Sequence, residues 1–251
     1  MIVEIPLPLV LWSHATSWLP ESFNSKKTAS FGYDGSVEMD LKELKRVIPK
    51  KTKFLLFDAC YMSSIESVYE LRNSADYIIA SSSEVLSSSH PYDIILEDLF
   101  SENYKIACKK FLGFYNKKIG IEQSATISLI NTSHLGDLAL QTKNLFKKYD
   151  KKELNINPQF SQDFNFEKKV DIGFYDFLSI VRNNCKDSEL SFFEEEFNKC
   201  VVYSDNTKKN FNIPLIESSG LTLSLIDKDL DLFEYYKSLD WYLDSGLNYI
   251  N

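Results

Sequence analysis

Short apolar runs alternate with amphipathic stretches along the first 150 residues of the chain. Four of these runs have the length and composition of buried strands, and they lie at 7–12, 53–58, 77–80 and 125–130. The spacing of apolar residues predicts helices over 40–48, 63–73, 91–100, 105–115 and 134–149. Because a helix separates each of the first three strands from the next, we expect right-handed crossovers and a parallel sheet, typical of the α/β class.

The pattern is less regular in the second part of the chain. Residues 151–169 are rich in Asn, Gln and Phe and are interpreted as an extended connector. Helices are predicted over 174–184, 189–198 and 232–244, and strands over 201–204 and 221–226. We therefore expect a principal α/β domain over 1–150 and an α+β extension over 151–251 that packs on the same domain. The pattern does not define the boundary between them sharply.

Composition excludes several classes of function. The 251 residues carry a net charge of −8, which argues against a nucleic-acid-binding protein and against attachment to an anionic membrane surface. The charge suits a cationic substrate or peptide partner. No apolar run approaches the roughly 18 residues of a membrane span. The first residues contain Glu4 and no Lys or Arg, so we expect no signal peptide in the chain as given.

Cysteine and histidine are too scattered for a metal site. The four cysteines include no CxxC pair, which disfavours a zinc site and a dense disulfide framework. Of the three histidines, His90 is interpreted as a loop residue and His134 as the start of a helix. We therefore predict no metal ligands and no cofactor required for the chemistry.

His14 and Cys60 follow the first two predicted strands, at the edge where function gathers in an open parallel sheet. A thiol close to an imidazole is a usable nucleophile. Cys60 lies 46 residues after His14, the order and rough spacing of the caspase Cys–His arrangement. The alternative is purely structural, because a Cys at a strand end is most often a small buried hydrophobe and a lone His a turn residue.

A long block of sequence resembles the clostripain family of cysteine peptidases, in the caspase-like clan. It contains LWSHATSW, then SFGYDG, then LFDACYMSSIESVYELRNSADYIIAS, and the match runs from about Leu11 to Asp93. A weaker match continues to the C-terminus. The resemblance implies a caspase-like three-layer sandwich with a mostly parallel sheet.

The resemblance also implies a role for each matching residue. Cys60 would be the nucleophile, His14 the proton-transfer residue, and the backbone N–H groups of Ala15 and Cys60 the oxyanion hole. Asp58 would lie at the floor of the S1 pocket and pair with a substrate Arg or Lys. The structural alternative for Asp58 is a cap for the following turn. The residues that would line the wall of that pocket are Ser82, Ser83 and Glu84.

This sequence departs from the family pattern in two places. Ala15 stands where many members have Gly, and Ala tolerates positive φ poorly. The family's usual strands before the His strand have no counterpart here, so we expect an uncovered sheet edge.

Activation, cofactor use and location follow only from the resemblance. Family zymogens cut themselves after a basic residue. The polar loop 13–40, which is predicted to contain a short hairpin, offers the bond from Lys27 to Thr28 and, as a second choice, the bond after Lys26. The alternative is that these two lysines are simply solvated. The resemblance allows a calcium dependence, although the chain has no EF-hand loop. It also implies export to the periplasm, cell surface or medium.

The sequence leaves two functions open. The first is a cysteine endopeptidase that hydrolyses peptide bonds after Arg or Lys through an acyl-enzyme. The second is an inactive or truncated homologue that binds peptides or a protein partner. The intact set of His14, Asp58 and Cys60 favours the enzyme, whereas Ala15 and the missing strands favour the binding module.

Overall fold

The computed structural model describes residues 7–20, 31–34, 37–50, 52–148, 163, 172–185, 187–226 and 232–249. The strands are β1 (Leu9–Trp12), β2 (Phe31–Asp34), β3 (Val37–Met39), β4 (Thr52–Asp58), β5 (Ala75–Ala80), β6 (Thr126–Asn131), β7 (Gly173–Asp176), β8 (Val201–Asn206), β9 (Lys209–Asn210), β10 (Ile213–Pro214) and β11 (Thr222–Leu225). The α-helices are α1 (Leu41–Val47), α2 (Ile65–Glu70), α3 (Tyr92–Phe100), α4 (Tyr104–Asn116), α5 (Leu135–Lys148), α6 (Phe177–Asn184), α7 (Asp187–Cys200), α8 (Leu232–Lys237) and α9 (Asp240–Ser245).

The central sheet of the described residues has five strands in the order β1-β4-β5-β6-β8. β1, β4 and β5 are parallel, whereas β6 is antiparallel to β5 and β8 is antiparallel to β6. The direction of β6 follows from its connection, because two packed helices, α3 and α4, return the chain to the edge where β5 ended. The predicted α/β class and mostly parallel sheet are confirmed.

Helices cover both faces of this sheet, which gives the predicted three-layer sandwich. Alternate residues of β4 point to opposite faces. Leu55 and Phe57 join the larger apolar core with α2 and α5, while Phe54 and Leu56 join the smaller core with α3 and α4. Within the described residues β1 forms one edge of the sheet. Trp12, the last residue of β1, is 74% exposed.

The second part of the chain contributes to the same core. β8 pairs with β6, α7 packs on α5, and α9 packs on α2 and α5. The helix predicted over 174–184 was wrong at its beginning, because residues 173–176 form β7, which pairs with β11, and Asp176 then caps α6. The single helix predicted over 232–244 is two short helices, α8 and α9. The domain boundary near residue 150 stays a prediction.

Two further predictions concern short elements and membrane spans. The hairpin predicted within 13–40 is present as the antiparallel pair β2 and β3. Among the described helices, none has both the length and the apolar character that a bilayer crossing requires.

Candidate active site

The structure brings His14 and Cys60 to one cleft. β1 and β4 are parallel neighbours in which Trp12 lies opposite Asp58, so both strands end at the same edge of the sheet. His14 and Cys60 each follow two residues after these paired positions. Both line a cleft of about 540 Å³. Its other lining residues are Trp12, Ser13, Gly32, Asp58, Ala59, Val85, Leu86 and Ser87.

The loop that carries His14 is held firmly below the exposed imidazole. Trp18 is completely buried and donates its indole N–H to Ser224 Oγ at 2.9 Å. Ser17 has a positive φ of 59°, and its hydroxyl oxygen lies 2.5 Å from Ser64 Oγ and 3.0 Å from Ser67 Oγ. These hydroxyl contacts join the His14 loop to the start of α2, directly beyond the Cys60 loop.

The Cys60 loop contains a second residue with a left-handed backbone. Tyr61 has a φ of 60°, donates its N–H to Ser83 O at 3.0 Å, and stacks on Phe174 with ring centroids 5.1 Å apart. The sharp turn turns the half-buried Cys60 side chain toward the cleft. Cys60 Sγ accepts a hydrogen bond from the Val85 N–H at 3.2 Å, which fixes the direction of the sulfur.

Ala15 fits its place in the loop without backbone strain. The left-handed residue of this loop is Ser17, and Ala15 is absent from the set of residues with positive φ. The methyl group in place of the family's glycine hydrogen is therefore tolerated. The oxyanion role of the Ala15 and Cys60 N–H groups stays a prediction.

Asp58 lies beneath the cleft with its carboxylate buried. Oδ2 accepts hydrogen bonds from Ser89 Oγ, from Tyr92 Oη at 2.8 Å and from the His90 N–H at 3.4 Å. His90 Nδ1 lies 3.0 Å from Oδ1, within ion-pair distance but out of line for a good N–H···O bond. Burial alone would raise the pKa of Asp58, but contacts with His90, Ser89 and Tyr92 outweigh it and hold the pKa below its usual value.

The hydrogen-bond donors around Asp58 limit how its carboxylate can bind a substrate side chain. Only 1% of its side chain is exposed, so a basic substrate side chain would have to share the carboxylate with Ser89, His90 and Tyr92. Sequence reasoning treated His90 as a loop residue and missed this pair. The 31 residues between Asp58 and His90 carry no spacing pattern that would have indicated the contact.

The residues predicted for the pocket wall are placed differently. Ser82 and Ser83 are buried, and their hydroxyls bond to Ser63 at 2.8 Å and to Thr126 at 3.0 Å. Buried hydroxyls must find partners, and β6 supplies one beside the end of β5. Neither serine nor the half-buried Glu84 lines the cleft. The cleft is lined there by the next residues, Val85, Leu86 and Ser87, and a substrate-binding role for Ser82, Ser83 and Glu84 stays a prediction.

One group of potential metal ligands occurs in the part of the chain that the structure describes. His134, Asp137 and Glu196 place their ligand atoms within 4.8 Å of one another, at the contact of α5 with α7. Lys199 Nζ already lies 2.7 Å from Glu196 Oε1 and 2.9 Å from Glu195 Oε1. A cation here would compete with this ammonium group.

The other cysteines play no part in the cleft. Cys108 and Cys200 are buried and Cys185 is half-buried, and all four cysteines are free thiols. Burial raises the pKa of Cys108 to about 12, so its thiol stays protonated at neutral pH. Cys60 is the cysteine that lines the cleft of His14.

An α/β sandwich with a Cys and a His beyond the ends of neighbouring parallel strands is the arrangement of the caspase-like cysteine proteases. The chain belongs to the clostripain family, whose model matches residues 7–244. It is a clostripain-family cysteine protease by sequence and fold.

Solved structures agree with this family. An inactive zymogen C11 protease from Parabacteroides distasonis matches with a TM-score of 0.78 and 30% identity, over 95% of this chain and 69% of that chain. A clostripain from Bacteroides thetaiotaomicron, in complex with the peptide inhibitor BTN-VLTK-AOMK, matches with a TM-score of 0.75 and 26% identity, over 85% and 97%.

A secreted C11 cysteine protease from Bacteroides thetaiotaomicron, in complex with an irreversible peptide inhibitor, has the same fold. Its TM-score is 0.81 at 21% identity, over 98% of this chain and 74% of that chain. Among curated proteins, none matches this sequence.

Proposed function

We propose that the protein is an endopeptidase that hydrolyses peptide bonds after Lys or Arg, with Cys60 as nucleophile and His14 as proton-transfer residue. The observation that carries the proposal is the common cleft of His14 and Cys60 above the buried Asp58. The rival is an inactive homologue that binds peptides. Such a protein would have the same fold but would not need a reactive thiol.

In this mechanism the Cys60 thiolate attacks the scissile carbonyl, and the oxyanion forms hydrogen bonds with the backbone N–H groups of Ala15 and Cys60. His14 protonates the leaving amine, which leaves a thioester on Cys60. His14 then takes a proton from water, which hydrolyses the thioester and frees the enzyme. No step needs a metal ion, so we expect turnover to persist in EDTA; loss of turnover on chelation would support the alternative of calcium dependence.

The preference for basic side chains rests on charge. None of the described residues that line the cleft is Lys or Arg, and Asp58 contributes a carboxylate beneath it. A related clostripain was captured with an inhibitor of sequence VLTK, which supports Lys as one accepted residue. The secreted relative supports export of this chain as well.

The direct test is covalent labelling. A peptidyl-lysine acyloxymethyl ketone should modify Cys60 in the parent, whereas Cys60→Ala should show no labelling and no hydrolysis of the matched substrate. His14→Ala should lower the rate by about 10²–10⁴-fold, because proton transfer is lost while binding remains. Intact-mass spectrometry and steady-state kinetics measure both. A parent that binds the peptide but never forms the adduct would instead support the peptide-binding module.

Asp58→Asn tests the basis of the specificity. The amide keeps the size of the side chain and removes its charge, so hydrolysis after Lys should lose about 2–5 kcal/mol of transition-state stabilisation. Hydrolysis of the same peptide with norleucine at that position is the control and should change little. An unchanged preference for Lys over norleucine would show that Asp58 is not the specificity acid.

A further inference from the structure

Asp58 and His90 form a buried pair of titratable groups directly beneath the cleft. Nδ1 and Oδ1 are 3.0 Å apart, and each side chain is 1% exposed. Asp58 ends β4 two residues before Cys60, and His90 immediately precedes the Pro91–Tyr92 start of α3. The carboxylate proposed to attract basic substrates therefore has a histidine as its internal neighbour.

Among the described residues, Asp58 is the single charged group that contacts His90. The ring of Tyr92 from α3 stacks at 6.0 Å, and the ring of Phe111 from α4 lies at 4.5 Å. Cys108 and His90 both line a small apolar cavity between the central sheet and the helices α3 and α4. Tyr115 donates its hydroxyl hydrogen to Ser89 O at 2.5 Å. Burial raises the pKa values of Tyr92, Tyr115 and Cys108, so all three stay neutral below pH 8.

The charge beneath the cleft depends on one proton. With a neutral imidazole, the Asp58–His90 pair carries one negative charge, whereas with an imidazolium it carries none. Asp58 itself stays ionised through this change, because its pKa lies below the usual value. A charge on a desolvated group acts strongly on a ligand a few ångströms away.

We propose that His90 is a specificity-determining residue, whose protonation cancels the charge of Asp58 and weakens the preference of the cleft for Lys and Arg. The inference rests on the proposed function in so far as the cleft receives a basic side chain. Because protonation of the imidazole removes the net charge of the pair, the preference should be stronger toward pH 8 and weaker toward pH 5.

Binding to Cys60→Ala tests this without turnover. The dissociation constants of two peptides that differ only in Lys or norleucine are measured by calorimetry from pH 5 to pH 8. The ratio cancels the effects that are common to both peptides. The comparison with His90→Gln then separates the contribution of His90 from that of other groups, such as His14, that act on the lysine charge. The preference for Lys should fall roughly tenfold or more toward pH 5. In the Cys60→Ala background, His90→Gln should make the preference for Lys independent of pH. His134→Gln in the same background should leave the pH dependence intact.

A constant ratio with His90 in place, or the same pH dependence after His90→Gln, would overturn the inference. Absence of any Lys preference would overturn it as well. Hydrolysis by the parent is scored separately, so a catalytically silent protein that shows the pH-dependent ratio contradicts the proposed function alone.

Imidazole NMR supplies a second measurement that does not depend on peptide binding or on the His90→Gln fold. The chain has only three histidines, and His14→Gln and His134→Gln assign the signals. Asp58→Asn removes the carboxylate beside the imidazole, so it should lower the midpoint of the His90 signal and leave that of His134 unchanged. A His90 midpoint that ignores Asp58→Asn would also overturn the inference.

Discussion

Glu66 is a carboxylic acid enclosed in the apolar core, in the first turn of α2 just beyond the Cys60 loop. Burial raises its pKa to about 7. Hydrogen bonds from the Ser224 N–H at 2.7 Å and from Tyr236 Oη at 3.1 Å offset only part of this effect. The protein therefore carries a group whose ionisation opposes folding at neutral pH.

The stability of the protein should fall with rising pH because of Glu66. Between its usual pKa of 4.5 and the folded value of about 7, the unfolded chain ionises while the folded chain keeps the proton. The resulting loss of unfolding free energy is about 3 kcal/mol at pH 8 relative to pH 4. Glu66→Gln should remove this part of the pH dependence, measured by urea unfolding at both pH values.

Comparing the parent and Glu66→Gln at two pH values cancels any constant effect of the amide on packing. The variant should gain stability relative to the parent on going from pH 4 to pH 8. An equal difference between the two proteins at both pH values would show that Glu66 is ionised to the same extent in the folded and unfolded chains.

At the residue scale, the sequence predicted the side chains that follow strand ends but not their buried partners. His14 and Cys60 were found because each follows an apolar run, and parallel strands align their ends. Ser82 and Ser83 are both hydrogen-bonded to Thr126, more than 40 residues away in the chain. The Asp58–His90 pair likewise depends on how α3 docks, which no local pattern shows.

At the scale of elements, hydroxyl groups join the active-site loops in addition to the pairing of β1 with β4. Ser17 of the His14 loop contacts Ser64 and Ser67, and Ser64 also caps α2 by accepting the Ser67 N–H at 3.2 Å. The position of His14 relative to Cys60 therefore depends on a serine whose φ of 59° disfavours a side chain.

Ser17→Ala and Ser17→Gly separate these two roles of Ser17. Both remove the hydroxyl and should lower kcat/KM, because the His14 loop loses its link to α2. Ser17→Gly should be more stable than Ser17→Ala by about 1 kcal/mol, because glycine adopts positive φ without strain. Urea unfolding and kinetics measure the two effects.

Ser133→Ala is the control for the Ser17 variants, since Ser133 is exposed and lies beyond the end of β6. Its kcat/KM should equal that of the parent. Parent-like kcat/KM in both Ser17 variants would show that the link does not position His14.

Element directions were harder to predict than element positions. The apolar run 125–130 was correctly expected to form a strand, but its direction depends on whether one helix or two precede it. The first residues of 174–184 were assigned to a helix, although they form β7, which pairs with β11 about 50 residues later in the chain. Long-range pairing of this kind leaves no local periodicity.

At the scale of the whole molecule, the part of the chain that carries His14 is held to the rest by packing. β1 pairs with β4 over four residues, and Trp18 is enclosed by the aromatic residues Tyr235 and Tyr236. Phe31 at the start of β2 packs edge-on against Phe57 with centroids 5.9 Å apart. A break between residues 20 and 31 would leave both fragments in these contacts.

Self-cleavage after Lys27 is therefore testable in the intact fold, although Lys27 and Thr28 lie outside the described residues. The active protein should produce two fragments with a new N-terminus at Thr28, and they should co-elute in gel filtration because the contacts of β1, Trp18 and Phe31 persist. Cys60→Ala, which lacks the nucleophile, should stay intact during the same incubation. The double variant Lys26→Ala/Lys27→Ala, which lacks both basic residues of the segment 21–30, should also stay intact. Mass spectrometry maps the termini. A preparation that hydrolyses a Lys or Arg substrate yet shows no cut between residues 21 and 30 would exclude activation by cleavage in this loop.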